Sequence, residues 1–171
     1  MIEYKVTVNG NGDTAWHLNG KLHREDGPTV ECVNGYKAWY RNGKYHREDG
    51  PAAIYADGSK FWYLNGKRHR EDGPAVEVAN GYEAWYRNGE RHREDGPAIE
   101  WADGTKEWYL NDKLHCEYGP AFESVSGFKD WYLNDQKLTE DEFNAQMNPA
   151  IEMTVAELEK KLGIKNLKIV K

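Results

Sequence analysis

Apolar and polar residues alternate along the chain in short runs, each the length of a small strand. In Ala98-Ile99-Glu100-Trp101-Ala102, Ile99 and Trp101 point one way and Glu100 the other, the period of two that a half-covered strand requires. Val76 and Val78, Val30 and Cys32, and Phe122 and Ser124 hold the equivalent positions. A second kind of run, such as Tyr82 to Arg87, sets a Trp beside a residue that must face the opposite side: His17, Tyr40, Tyr63, Tyr86, Tyr109 or Tyr132. The pattern predicts a sheet with a Trp ladder on one side and a Tyr ladder on the other. Ile99, Val76 and their equivalents are expected to meet the Trp column, held by cross-strand pairs.

These runs recur. His-Arg-Glu-Asp-Gly-Pro begins at His23, His46, His69 and His92, and His-Cys-Glu-Tyr-Gly-Pro begins at His115, with a step of 23 residues. Trp16, Trp39, Trp62, Trp85, Trp108 and Trp131 keep that step, and so do Gly12, Gly35, Gly58, Gly81, Gly104 and Gly127. The residue two after each Trp reads Leu18, Arg41, Leu64, Arg87, Leu110, Leu133, and the second turn alternates between Asn-Gly and Asp-Gly. A 46-residue period therefore overlies the shorter one and implies two kinds of position along the array. Each unit has two turn signals, as at Asn65-Gly66 and Asp57-Gly58, and both suit type I′ turns. Two tight turns make two strands, one short and one long. The long strand, Glu90 to Ala102, is interrupted at Arg93 to Pro97, because proline cannot donate to a ladder.

The expected fold is mainly β: an elongated antiparallel β-meander repeat array of about twelve strands, spanning on the order of 55 Å at ~4.8 Å per strand, with a small C-terminal α/β cap. Residues 1–14 form an N-terminal capping strand, 15–143 the tandem repeats and 144–171 the C-terminal helix-strand cap. Thr139 with Glu142, and Thr154 with Glu157, read as capping boxes. They predict helices at 140–146 and 155–162, the second closed by Gly163, before a final strand at 164–170.

Composition changes the picture in two ways. Trp and Tyr are abundant, at seven and eleven, and disordered chains are poor in aromatics. The net charge of −6 disfavours nucleic acid and anionic lipid as partners. Cys32 and Cys116 lie in different repeats and make no disulfide framework. Reduced thiols, the absence of an apolar run near ~20 residues and an N-terminus without an apolar core together imply a cytoplasmic protein.

The match of Trp39 to Lys60, with Asn42-Gly43-Lys44, His46 and Ala56-Asp57-Gly58-Ser59-Lys60, resembles the MORN repeat, a hairpin unit. The resemblance covers about residues 15–129. It departs where Arg-Glu-Asp-Gly-Pro follows the His and where Trp follows Ser-Lys-Phe. The tail from Met153 to Lys171 resembles C-terminal segments of small bacteriophage proteins, which implies the cytoplasm of a host cell as the place of action.

Chemistry on this scaffold is expected to be absent. Histidines in register on adjacent units are about 9.5 Å apart and cannot share a zinc that needs nitrogens within about 2.1 Å, so neither metal nor cofactor is expected. An Arg-Glu-Asp triplet repeated unchanged reads as structure, since catalysis needs one asymmetric constellation. In the structural reading Asp caps the turn, Gly supplies positive φ and Pro sets the exit. The expected function is a non-enzymatic binding scaffold for protein–protein interaction, with a phage protein that inhibits a host defence factor as its concrete form. The alternative is a binder that sequesters a small anionic ligand or nucleotide. Candidate binding residues are Tyr40, Tyr63, Tyr86 and Tyr109 on the Tyr face, with Arg41, Arg87, Arg47, Arg70 and Arg93. Aromatic enrichment on the Tyr face fits an interface, and it equally fits self-burial by curling or by forming a homodimer through a sheet face.

Overall fold

The computed structural model describes residues 3–149 and 154–163; the strand expected at 164–170 lies outside them. The array is an antiparallel meander. Its main sheet has fourteen strands, thirteen of them in one unbranched path that follows chain order from Lys5–Val8 to Gln136–Leu138. Two short helices follow, α1 (Glu140–Met147) and α2 (Val155–Leu162), each opened by the expected Thr–Glu capping box, with Gly163 at φ 70° closing α2. α1 lies against the last two strands and buries Phe143.

Each unit uses its chain twice. Lys60–Phe61 pairs within the main sheet, with Ala53–Ile54 on one side and Val76–Glu77 on the other. After Trp62 the same run leaves that sheet, and Tyr63–Leu64 forms a separate two-stranded hairpin with Lys67–Arg68. The single short strand expected across Tyr82 to Arg87 is likewise divided at Trp85 into Glu83–Ala84 and Tyr86–Arg87. The motif loop is the cause. It separates the two halves of the long strand, so the partner of the short strand changes at the Trp. Each hairpin is stitched to the preceding unit by backbone bonds at two points, such as Gly66 N–H to Tyr45 C=O at 2.8 Å and Arg47 N–H to Tyr63 C=O at 3.1 Å.

The two turns of a unit differ in kind. After each Trp-Tyr pair both central residues have positive φ, as at Asn65 (53°) and Gly66 (84°), the type I′ geometry expected. At the other turn only the glycine does, as at Gly58 (91°). There the Gly58 N–H donates to Tyr55 C=O and the Tyr55 N–H to Ser59 C=O. This is a type I turn closed by a left-handed glycine, the three-residue hairpin, and the type I′ expectation is corrected for it. Asp57 contributes a side-chain acceptor for the Ser59 N–H at 2.9 Å, as Asn34 and Asn80 do for Tyr36 and Tyr82. Because this position needs an acceptor and no unusual φ, Asn and Asp alternate there freely.

The core draws on the Tyr column and on Trp85. Val76, Ala84 and Ile99 are in register across neighbouring strands and are buried together with Ala98 and Tyr109, with Phe61, Val78, Tyr82, Trp85, Tyr86 and Leu114 packed against them. Trp85 packs against this cluster, in keeping with the expectation that Ile99 and Val76 meet the Trp column, and Tyr82, Tyr86 and Tyr109 join it there. On the Trp side the only fully covered positions after the motif prolines are small ones, Thr29, Ala52, Ala75, Ala98 and Ala121. Each accepts the N–H of a Trp, Trp85 to Ala98 at 2.8 Å for example. The Trp rings themselves are half-buried.

Candidate functional site

The Trp side is built by the repeated hexamer. In each of the first four copies the Arg guanidinium lies over the Trp ring of its own unit, with distances to the centroid of 4.1 Å for Arg24–Trp16, Arg47–Trp39 and Arg70–Trp62 and 4.0 Å for Arg93–Trp85. Its Nε donates to the Asp two residues on, Arg47 to Asp49 at 2.8 Å, and its Nη1 to the proline carbonyl, Arg70 to Pro74 at 3.1 Å. Arg70 and Arg93 also reach Glu77 at 2.7 Å and Glu100 at 3.1 Å on the adjoining strand. These hydrogen bonds, and then the guanidinium charge, hold Asp26, Asp49, Asp72 and Asp95 below the usual carboxylate range.

The motif glycine has another role than the expected one. Gly27, Gly50, Gly73 and Gly96 are absent from the positive-φ residues. A Cβ on Gly73 would stand 2.9 Å from Arg70 Cζ, and one on Gly96 would stand 2.9 Å from Arg93 Cζ. The glycine is there to let the guanidinium lie flat between Trp and backbone. In the fifth copy Cys116 replaces the Arg, and a Cβ on Gly119 would meet nothing within 4 Å. The Asp role is corrected as well: its carboxylate clamps the Arg.

The motif histidine ties one unit to the next. His46 Nδ1 accepts the Asn65 N–H at 3.2 Å, and His69 accepts that of Asn88 at 3.1 Å. His23, His92 and His115 do the same with Asn42, Asn111 and Asn134. Their Nε2 faces the Glu two residues on, at 3.2 Å for His46–Glu48. The arrangement bonds the first turn residue of every following hairpin to the preceding loop.

Between consecutive loops lie four open clefts of about 510 to 770 Å³. Their walls are the Arg-Glu-Asp-Gly-Pro loop of one unit and the His-Arg-Glu-Asp of the next. Their floor is the next unit's Trp and the residue two beyond it. That floor residue runs Arg41, Leu64, Arg87, Leu110, so the 46-residue period is the alternation of cleft floors. In the last cleft Cys116 leaves Trp108 without a guanidinium, and Tyr118, in place of Asp, is 90% exposed.

The nine sequence candidates fall on both sides of the sheet. Tyr40, Tyr63 and Tyr86 are half-buried and Tyr109 is buried. They belong to a packed aromatic layer in which Tyr45 stacks on Tyr40 and Tyr63 with centroids 4.2 and 5.0 Å away. Tyr45 also shares a 2.9 Å hydrogen bond with the Tyr36 hydroxyl. Burial is the main force raising the hydroxyls of Tyr36 and Tyr40, and that of Tyr109 to about 12. Arg47, Arg70 and Arg93 are the Trp clamps, and Arg41 and Arg87 stand in the cleft floors, pairing with Glu48 at 3.2 Å and Glu94 at 3.7 Å. Sequence reasoning missed Leu64, Leu110 and the exposed carboxylates of Glu48, Glu71 and Glu94. The alternation of Leu and Arg two residues after each Trp was the signal for them. Among the described residues no group of three or more His, Cys, Asp or Glu could hold a metal ion. No helix among them is long and apolar enough to cross a membrane.

Fold and surface together define a class, the tandem β-hairpin repeat array with a periodic row of clefts. Comparison with models of known protein families finds no match, and comparison with curated proteins finds none either.

Proposed function

We propose that the protein is a non-enzymatic scaffold that binds another protein along its Trp side, with the row of clefts as the contact surface. The observation that carries this reading is repetition with access: four equivalent clefts, each with a Trp in its floor and exposed carboxylates on its walls. Trp and Arg are the side chains over-represented at the energetic centres of interfaces. The Tyr side is a poorer choice, since its rings are engaged with one another. The phage-like tail makes a host factor, inhibited by occupation, the partner we propose. An anionic ligand is disfavoured by the same geometry, because the guanidinium groups of Arg47, Arg70 and Arg93 already hold a carboxylate and a carbonyl.

The test is a partner captured from host lysate, identified, purified and titrated calorimetrically against Glu48→Lys, Glu71→Lys and Glu94→Lys singly and combined. Each change should weaken binding modestly, and the losses should add, as for sites more than about 7–10 Å apart. One variant that abolishes binding while the others are silent would mean a single pocket. No effect from any of them would remove the cleft row from consideration.

A further inference from the structure

The four clefts alternate in charge as well as in floor. The Leu64 cleft sets Arg47 and Arg70 against Glu48, Asp49, Glu71 and Asp72, a net of −2. The Leu110 cleft sets Arg93 against Glu94, Asp95 and Glu117, again −2. The clefts floored by Arg41 and Arg87 each hold three arginines against four carboxylates, a net of −1. In those two the extra guanidinium already engages Glu48 or Glu94. The two apolar-floored clefts thus carry one more net negative charge than the cleft between them, whose floor adds a guanidinium donor.

The pitch of the row selects a ligand conformation. Successive clefts are two strands apart, about 9.6 Å, and the two Leu clefts about 19 Å. A polyproline II helix repeats the same face every three residues and rises ~3.1 Å per residue, so one turn covers ~9.3 Å and six residues ~18.6 Å. An extended β-strand reverses its face over three residues, and an α-helix at 1.5 Å per residue returns to the same face out of step with the clefts. Only the three-fold helix presents an equivalent side chain to every cleft.

Resting on the scaffold reading above, we propose that the Trp side binds a proline-rich segment in the polyproline II conformation carrying a Lys or Arg at every sixth residue. The cations sit in the Leu64 and Leu110 clefts. There Leu and Trp bed the aliphatic stem of the ligand's basic side chain, and the carboxylates of Glu71 or Glu117 and their neighbours receive its head. In the intervening cleft Arg87 faces the backbone carbonyls that this conformation leaves solvated. Aromatic-lined grooves are the general receptors for such segments, because the ligand is pre-ordered and loses little entropy on binding.

Fluorescence anisotropy with labelled proline peptides tests this on the full chain. A peptide with two arginines six residues apart should bind about tenfold tighter, roughly 1.4 kcal/mol, than one with the arginines four apart or with two glutamates six apart. Leu64→Arg should remove most of that preference while leaving thermal unfolding unchanged, since the chain already carries Arg at the equivalent positions 41 and 87. Binding that ignores the spacing, or no binding by any peptide, overturns the proposal. If the peptides fail while the charge reversals still weaken a captured partner, the scaffold stands and the ligand class falls. If those reversals leave the partner untouched, the scaffold reading fails independently.

Discussion

A single atom's worth of space separates the motif glycines from one another. Gly73 needs no unusual φ, yet a methyl group there would press on the Arg70 guanidinium at 2.9 Å, whereas at Gly119 it would meet nothing within 4 Å. Gly73→Ala should cost about 1 kcal/mol, because the flexible Arg70 side chain can shift at the expense of about one of its hydrogen bonds, and Gly119→Ala should stay within about 0.5 kcal/mol. Chemical denaturation of the two variants checks this, and equal costs would mean that the guanidinium moves aside freely. Proton binding follows the same clamps. Asp26, Asp49, Asp72 and Asp95 are held low by arginine. Their contribution is therefore present above the ordinary aspartate value of about 3.9 and lost as pH falls through the lower folded values. The buried tyrosines act in the opposite sense. Tyr109, raised to about 12, stabilises the fold below the free tyrosine value of about 10 and gives that up as pH climbs toward 12. Denaturation midpoints should fall on both limbs, and spectrophotometric titration should show tyrosines that ionise only as the fold melts.

Turn chemistry governs at the scale of the hairpin. Asn65 occupies the left-handed region, where a side chain with Cβ and no local hydrogen bond is penalised by roughly 1–2 kcal/mol. Asp57 does not; it only supplies an acceptor to Ser59. Asn65→Ala should therefore destabilise by about 1–2 kcal/mol, while Asp57→Asn should be neutral within about 0.5 kcal/mol. Reversal of that order in urea denaturation would show that the two turns share one geometry after all. The His bridge belongs to this scale too. Removing the His69 acceptor leaves the Asn88 N–H without its partner and loosens one hairpin from the preceding loop.

Across the described residues the array is one long main sheet flanked by two-stranded hairpins. Its central path of thirteen strands corresponds to roughly 60 Å at ~4.8 Å per strand. Small-angle scattering should give a radius of gyration clearly above the ~16 Å of a globule of this length; a value near it would contradict the extended arrangement. Because each unit touches only its neighbours, stability is a sum of local and nearest-neighbour terms. Substitution of the buried Tyr109 by Ala should cost about 3–5 kcal/mol, as large core truncations do, and the half-exposed Trp62 less. The reverse ranking in denaturation would place the core on the Trp side.

The 23-residue step, the positions of both turns and the two capping boxes were all legible from the chain alone. Each is a local consequence of strand alternation, φ preference or cap geometry, and nearby residues decide it. Alternation distinguishes two faces but does not say which residues meet in the core, and that Tyr82, Tyr86 and Tyr109 join Trp85 around Ile99 and Val76 was decided by packing between units. The distinction between the turns at Asp57 and Asn65 was hidden as well, because both dipeptides tolerate positive φ and only the strand pairing decides whether one residue or two adopt it. The clefts depend on contacts between residues of neighbouring units: Asn65 against His46, and the floor residue Leu64 between the loops at 47–51 and 69–72. The sequence contained the alternation of Leu and Arg, but its meaning arose only when stacking set each floor between two walls. The stacking itself depends on the Arg lying flat on its Trp, for which the glycine beside it leaves the room.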